Sequence, residues 1–292
     1  MPDFVTSALD TNGVLYVVAT PIGNLDDMVP RAVAVLQSVD HIAAEDTRNS
    51  ARLLKHFAID TPLIAYHDHS DEHRRKHLVD MLAEGKSIAL ISDAGTPLIS
   101  DPGYQLVRCA RRIGANVIPI PGACALITAL SASGLPSDRF IFEGFLPAKS
   151  HARQQLLKQL ALEPRTLIFY ESTHRLLAGL EDMKKIFGGN RTVVLARELT
   201  KHFETIIEGP LEVLINRLQT DNNQQKGEIV LLVKGYEKLQ QIDELDRQAE
   251  QTLSTLLEEL PVKQAVKIAA KLTGVKKRSL YQWAVHRVDS AG

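Results

Sequence analysis

The chain has 292 residues, a formal net charge of −1, and 45% apolar against 24% charged residues; it suits two domains plus a small appendage, and no global basic field advertises a nucleic-acid partner. Its two cysteines, Cys109 and Cys124, lack zinc spacing or a CxxC pair and fit a reducing cytoplasm. Met1 to Gly13 has no signal-peptide pattern, and the most apolar region, Val117 to Leu135, is cut by Pro119, Pro121 and Gly122, which excludes a membrane span.

A β-branched strand, Leu15 to Ala19, ends in Thr20-Pro21-Ile22-Gly23-Asn24, and a helical pattern follows from Val29 to Val39. Ile42 to Ala44 reads as a second strand, closing on Glu45-Asp46-Thr47-Arg48, then a helix from about Ser50 to Phe57 and a strand from Leu63 to Tyr66. His67-Asp68-His69, with His73 and His77, invites a metal reading, but the charges between them describe a solvated helix start, so no metal is expected. A helix over about 74–83 leads to the apolar strand Ser87 to Ile91 and the loop Ser92 to Gly103. That loop carries Gly95, Gly103, Pro97 and Pro102, with Asp93 and Asp101 beside hydroxyls. Small residues let a ligand lie against main chain, and prolines fix the loop's shape before binding. A helix from about Tyr104 to Ile113, a strand from Val117 to Ile120 ending in Pro121-Gly122-Ala123, and a helix over about 123–133 complete a first half of alternating elements. Such alternation means a mostly parallel sheet covered by helices on both faces.

Gly134-Leu135-Pro136-Ser137-Asp138 has helix-stop chemistry and marks the hinge. Beyond it lie strands at Phe140 to Glu143, Thr166 to Tyr170, Thr192 to Ala196 and Glu228 to Val233, with a helix over about 152–162 and another after Glu171-Ser172-Thr173-His174-Arg175 to about Phe187. Phe203 to Glu208 pairs beside the third of these strands, since Arg197 to Gly209 is too short for a crossover helix; this sheet is mixed. The expected organisation is 1–133, 134–236 and 237–292. The last part is an acidic linker with seven acids over 237–260, then a tail from Pro261 holding seven Lys and Arg against Asp289, a net +6. Ala265, Ile268, Ala269 and Leu272, a Gly274 turn, then Leu280, Trp283 and Ala284 suggest two helices in a helix-turn-helix-like pattern. Lys263, Lys267, Lys271, Lys276, Lys277 and Arg278 would attract a phosphate backbone, or else dress a helical pair packed on another surface.

No Walker loop, GxGxxG, nucleophile elbow or HExxH is present. What remains is a set of loops able to converge: 20–24, 93–101, 121–125, 170–175 and 198–201. Main chain and small side chains suit a flat adenine with a sulfonium better than a triphosphate. Leu15 to Leu25, Ala43 to Arg48, Ser92 to Gly103, Pro121-Gly122, Gly134 to Phe140, Phe169 to Arg175, Arg197 to Lys201 and Lys226-Gly227-Glu228 together resemble the tetrapyrrole methylase family of S-adenosylmethionine-dependent methyltransferases. The resemblance covers 15–235 almost continuously and is closest to its branch methylating ribose 2′-hydroxyls of ribosomal RNA.

The resemblance implies an α/β, two-domain class III methyltransferase fold with a small C-terminal helical appendage, the cofactor in the cleft between domains, and a homodimer. Where the wider family has Gly-Asp-Pro this chain has Gly95-Thr96-Pro97, and Gly23-Asn24 replaces Gly-Asp; both departures favour the RNA branch over porphyrin-type substrates. S-adenosylmethionine contacts are expected from Pro21, Asp93, Ala94, Gly95, Thr96, Ile99, Pro121, Ala123, Cys124, Tyr170 and Gly227. RNA contacts are expected from Arg48, Lys149, Arg175 and the tail cations. Glu45, Asp46, Glu171 and Glu198 are possible bases, and Glu171, Glu198 and Lys201 are the ranked choice for chemistry. The expected reaction is 2′-O-methylation of a cytidine in the decoding region of small-subunit RNA, free or in the subunit. A corrin-precursor methyltransferase and a non-enzymatic RNA-binding protein are the alternatives.

Overall fold

The computed structural model describes residues 13–66, 72–237 and 247–289. The expectations for the N-terminal segment (Gly13 apart), for His67, Asp68 and His69, and for 238–246 of the acidic stretch lie outside them. Among the described residues no helix is long and apolar enough to cross a membrane, and no three metal-type side chains cluster. Two contact-defined units emerge, 1–236 and 237–292.

The first half of the larger unit is a five-stranded, wholly parallel sheet ordered β3-β2-β4-β1-β5. Its strands are β1 (Val14–Val18), β2 (His41–Ala44), β3 (Leu63–Ala65), β4 (Ser87–Ile91) and β5 (Asn116–Ile120). Their near-continuous apolar runs follow from burial on both faces. Val18, Ile42, Ala44, Ala89 and Ile91 meet α1 (Pro30–Ser38) and α2 (Thr47–His56), while Leu15, Ala43, Ile88 and Leu90 meet α3 (Glu72–Ala83) and α4 (Tyr104–Arg112). The period of two along each strand therefore sorts the helices into two layers. The chain runs outward from β1 to β3, returns to β4, and crosses to β5. The loops after β4, β1 and β5 consequently leave the carboxyl ends of three adjacent strands at the point where strand order reverses.

The second sheet is mixed, as the short 197–209 connection predicts. Its order is β6-β7-β10-β8-β9, with β6/β7 parallel and the remaining pairs antiparallel. The strands are β6 (Phe140–Phe145), β7 (Thr166–Glu171), β8 (Thr192–Arg197), β9 (Thr205–Pro210) and β10 (Ile229–Val233). One face packs on α6 (Ser150–Leu160), α7 (Leu176–Phe187) and α8 (Leu211–Thr220) through Phe169, Leu195 and Leu231. The other face, Ile168, Val194, Ala196, Val230 and Leu232, is covered by Leu126, Ala129 and Leu130 of α5 (Ala125–Ala132), a helix contributed by the first half. The helix after β5 thus starts two residues later than expected, leaving Ala123 outside it and Cys124 extended as its N-cap.

In the smaller unit, α9 (Arg247–Glu259), α10 (Val262–Thr273) and α11 (Lys277–Asp289) share a core of Ala249, Leu253, Ala265, Val266, Ala269, Leu280 and Ala284. Much of the stretch read as a linker is therefore helix, held by Ala249 and Leu253. The expected turn stands: Gly274 has φ +73° and caps α10. Ile268 and Leu272, expected inside, are 37% and 69% exposed, because Val266 takes the inward position.

Candidate active site

Three loops are stitched together at the carboxyl edge of the first sheet. Thr20 N–H donates to Gly95 O (2.9 Å) and Gly95 N–H to Thr20 O (3.1 Å), a single bridge between the loops after β1 and β4. Thr20 Oγ1 donates to Ser92 O (3.3 Å), and Thr96 Oγ1 to Ala123 O (3.0 Å), which ties in the loop after β5. The 92–103 loop is bent hard. Leu98 and Ser100 have φ of +74° and +63°, beside Gly95 at +82° and Gly103 at +132°. Left-handed backbone at a non-glycine residue costs on the order of 1–3 kcal/mol and persists where surrounding structure over-determines it. Gly103 has no room for more: a Cβ there would lie 2.7 Å from Leu90 Cδ2.

These loops and the facing strands of the second half enclose a cavity of about 450 Å³. Asp93, Ala94, Gly95, Thr96, Ile99 and Cys124 line it, opposite Tyr170, Glu171 and Gly227, all predicted from sequence. Pro21, Pro121 and Ala123 are absent from the wall; Ile22 takes the first loop's place there, and the Ala123 carbonyl is committed to Thr96. Ser100, Asp101, Ser172 and Leu199, inside the loops expected to converge but not assigned a contact, also line the cavity, and so do Phe145 and Glu228. Phe145 arrives through a bulge. The β6/β7 register shifts between Phe142 and Phe145, Gly144 turns at φ +67°, and a Cβ there would sit 3.2 Å from Ser100 Oγ. Gly144 before an aromatic was the available signal.

The wall has a one-signed chemistry. Its lining residues include the acids Asp93, Asp101, Glu171 and Glu228, the Glu171 side chain being fully buried behind the wall, and, among the described residues, no Lys, Arg or His. Asp93 accepts from Asp46 N–H (3.1 Å) and Asn49 Nδ2 (3.1 Å), which fixes the 92–103 loop to the start of α2. Burial pushes Asp101 up to about 6, with the Ser92 hydroxyl pulling the other way and the Asp93 charge adding to the rise. Burial likewise raises Glu171, which is 3% exposed, although Ser172 N–H (2.7 Å) and Arg175 (3.3 Å) oppose the rise. Tyr170 Oη accepts from Leu126 N–H (3.2 Å), and its ring meets Phe142 and Phe145 edge-on at 4.9 and 5.6 Å. Burial holds its phenol neutral, the neighbouring Cys124 reinforcing this.

Glu198 and Lys201 stand outside the wall as a brace. Glu198 accepts from Lys201 Nζ (3.0 Å) and Glu228 N–H (2.8 Å), and Lys201 also pairs with Glu228 (3.2 Å). Desolvation acts to raise the Glu198 carboxyl, but these donors outweigh it and leave the group below its ordinary value, a poor proton acceptor. Desolvation acts to lower Lys201, and the two carboxylates reverse that. Arg48 is exposed and closes on Asp46, the N-cap of α2; Lys149 is exposed before α6; Arg175 binds Ser172 Oγ (2.8 Å) and Glu171. In the smaller unit, Lys263 and Lys267 of α10 face Lys277 and Arg278 of α11 across a shallow hollow floored by Val266 and Tyr281.

Solved structures share this architecture at low sequence identity. Uroporphyrin-III-C-methyltransferase from Thermus thermophilus superposes with a TM-score of 0.54 at 20% identity, and the methyltransferase CobJ with 0.57 at 20%; each comparison covers 76% of this chain and 94% of the other. These likenesses concern the fold. Closer relatives are the ribosomal RNA small subunit methyltransferases I of Pseudomonas aeruginosa, 56% identical over 94% of this chain and 98% of its own length, and of Escherichia coli O157:H7, 55% identical over 96% and 98%. Residues 14–215 match the profile of the Tetrapyrrole (Corrin/Porphyrin) Methylases, and residues 243–287 that of the RsmI C-terminal HTH domain. With most of its length matched, the chain belongs to the tetrapyrrole methylase family, in the branch whose members are named ribosomal RNA small subunit methyltransferase I.

Proposed function

We propose that this protein is an S-adenosylmethionine-dependent methyltransferase that 2′-O-methylates the ribose of a cytidine in the decoding region of small-subunit ribosomal RNA, working in the cytoplasm as a homodimer. The observation that carries the reading is the cavity wall, with the acids Asp93, Asp101 and Glu228, apolar surface and loop main chain, and no cation among its described residues. Such a wall repels a triphosphate and attracts a sulfonium. Ile22, Ile99 and Val230 offer apolar contact for a flat base, while Gly95 and Gly227 let main chain approach it. Bound there, S-adenosylmethionine supplies an electrophilic methyl group.

The chain's own residues then have to exclude water, orient the acceptor and manage its proton. Positioning accounts for much of the acceleration in a displacement of this kind. RNA phosphates belong outside the acidic cavity, where Arg48, Lys149 and Arg175 lie near the loops and the tail cations form a separate patch. An overall charge of −1 leaves these patches to do the electrostatic work. The sequence relatives carry ribosomal RNA in their name, and the basic hollow of α10 and α11 supports the same substrate class here.

The decisive measurement is mass-spectrometric mapping of ribose methylation in small-subunit RNA from cells with and without this gene. Loss of one 2′-O-methylcytidine is expected, and an unchanged map would end the proposal. For the cofactor, isothermal titration of Gly95→Trp is expected to show lost S-adenosylmethionine binding with circular dichroism unchanged.

A further inference from the structure

To bring a ribose 2′-hydroxyl up to a sulfonium inside a cavity, its nucleotide has to leave its neighbours in the RNA. The stacking it gives up is commonly restored by an aromatic side chain. Most of the apolar wall is sealed: Ile22, Leu199, Ile229 and Val230 are each 6% exposed or less. Phe145 lines the same cavity and is 52% exposed.

Local geometry sets this ring at the opening. Phe145 ends β6, past the register shift that begins at Phe142, and Gly144 turns just before it at φ +67°. Leu146, the next residue, is 1% exposed in the core under α6 and α7. The bulge thus sends one apolar side chain inward and its neighbour outward, the way bulges re-aim side chains beside sites. Tyr170 backs the Phe145 ring edge-on at 5.6 Å, and among the described residues no other aromatic ring or cation meets it. The T-shaped contact steadies the ring without stacking on it, so the parallel arrangement that a base requires is still open. A phenyl ring left in water forgoes burial that stabilises a fold, and a base laid on it restores that burial. Ser172 and Thr173 lie in the same wall, and Arg175 donates to Ser172 Oγ (2.8 Å), so the phosphate contact proposed for Arg175 reaches the same cavity.

We propose that Phe145 is the stacking platform for the acceptor base: it holds the cytosine, drawn out of the RNA, face to face with its ring and sets the ribose toward the cofactor. Every base presents a π-face, so this contact supplies affinity and alignment and leaves the choice of base to other groups. The adenine of the cofactor takes the buried contacts of Ile22 and Val230, and the exposed ring is left to the second ligand.

This inference rests on the proposed function, and one assay separates the two. Methyl transfer from saturating S-adenosylmethionine to subsaturating small ribosomal subunits is followed under single turnover. No transfer by the unmodified protein would end the function and the inference with it. Given transfer, Phe145→Ala is expected to slow it roughly 10- to 100-fold, with cofactor affinity by titration calorimetry within about threefold of the original. Phe145→Tyr, which keeps a ring face, should transfer at least about fivefold faster than Phe145→Leu, which keeps apolar bulk alone. A second substrate is the subunit rebuilt around RNA whose acceptor nucleotide, taken from the methylation map, lacks its base but keeps its 2′-hydroxyl. On it, Phe145→Ala should match the original within about twofold, because no base is left to stack. Where that substrate reacts too slowly to measure, the comparison of Tyr with Leu decides. Four results would each overturn the assignment: an equal loss on both substrates, a Phe145→Ala rate within threefold of the original on intact subunits, Tyr and Leu variants alike, or cofactor affinity falling in step with transfer.

Discussion

At Gly227 the polypeptide passes so close to Glu198 that a Cβ would lie 2.4 Å from its Oε1, and φ is +95°. The same carboxylate holds Lys201, whose stem crosses Gly23 so tightly that a Cβ there would come within 2.5 Å of Lys201 Cγ. Two glycines, one acid and one lysine therefore lock the loop after β1 to the loops after β8 and before β10. Gly227→Ala must displace Glu198 and adopt a backbone that costs an L-residue roughly 1–2 kcal/mol before any clash. A lower melting temperature and at least tenfold weaker cofactor binding are expected. Gly209→Ala, on β9 with open space around it, should change neither. Equal behaviour of the two variants would show that the brace does not shape the cavity. Nothing in the local sequence separates Glu198 from Glu171 as a candidate base. The distinction arises from Lys201 and the Glu228 N–H, three and thirty residues away, which stabilise the charged form. The bend of the 92–103 loop is equally opaque, since no rule assigns left-handed backbone to Leu98 or Ser100.

Among the elements, α6 and α7 are joined by a buried polar knot rather than by apolar contact alone. Asp182 accepts from Ser150 Oγ (2.9 Å), Arg153 Nε (2.7 Å) and Gln154 Nε2 (2.7 Å), with Arg153 3% exposed. Breaking one side of such a pair costs about 3–5 kcal/mol, because the survivor stays charged and buried. Arg153→Met should lose that much in urea denaturation, and adding Asp182→Leu should return part of it; a double variant no better than the single one would refute the account. Desolvation acts to raise Asp182, but its donors win and hold it below the ordinary value. Its contribution to stability is thus complete above the unfolded pKa of about 4 and lost as pH falls through the folded one. The gap between the original protein and Asp182→Asn should accordingly shrink below pH 4. The elements of the first half were legible because a doubly buried parallel strand is a solid apolar run followed by a loop bearing Gly and Pro, as after Ile91 and Ile120. Helix α8 was equally written in the spacing of Leu211, Leu214, Ile215 and Leu218, although the expected elements omit it. What no run of residues states is that α5 closes the second sheet, a contact between halves that creates the cavity. Leu130→Ala on that helix should cost about 2–5 kcal/mol and weaken cofactor binding together with stability.

For the whole molecule, the charges are distributed rather than summed. An acidic cavity and a basic helical hollow coexist in a chain of net charge −1, so phosphate attraction is confined to patches. The hollow sets Lys263 and Lys267 of α10 against Lys277 and Arg278 of α11, a spacing fixed by the Gly274 turn and by Ala265, Ala269 and Leu280 beneath. Changing all four cations to Gln preserves helix-forming side chains and leaves that core untouched. Binding of small-subunit RNA should weaken, and the slope of log affinity against log salt should flatten by about 3, since each lost phosphate contact removes roughly 0.7–0.9. S-adenosylmethionine affinity should hold within twofold, because none of the four cations lines the cavity. An unaltered slope would transfer phosphate binding to Arg48, Lys149 and Arg175. Loss of cofactor affinity instead would show that the tail supports the body's fold and not its grip on RNA.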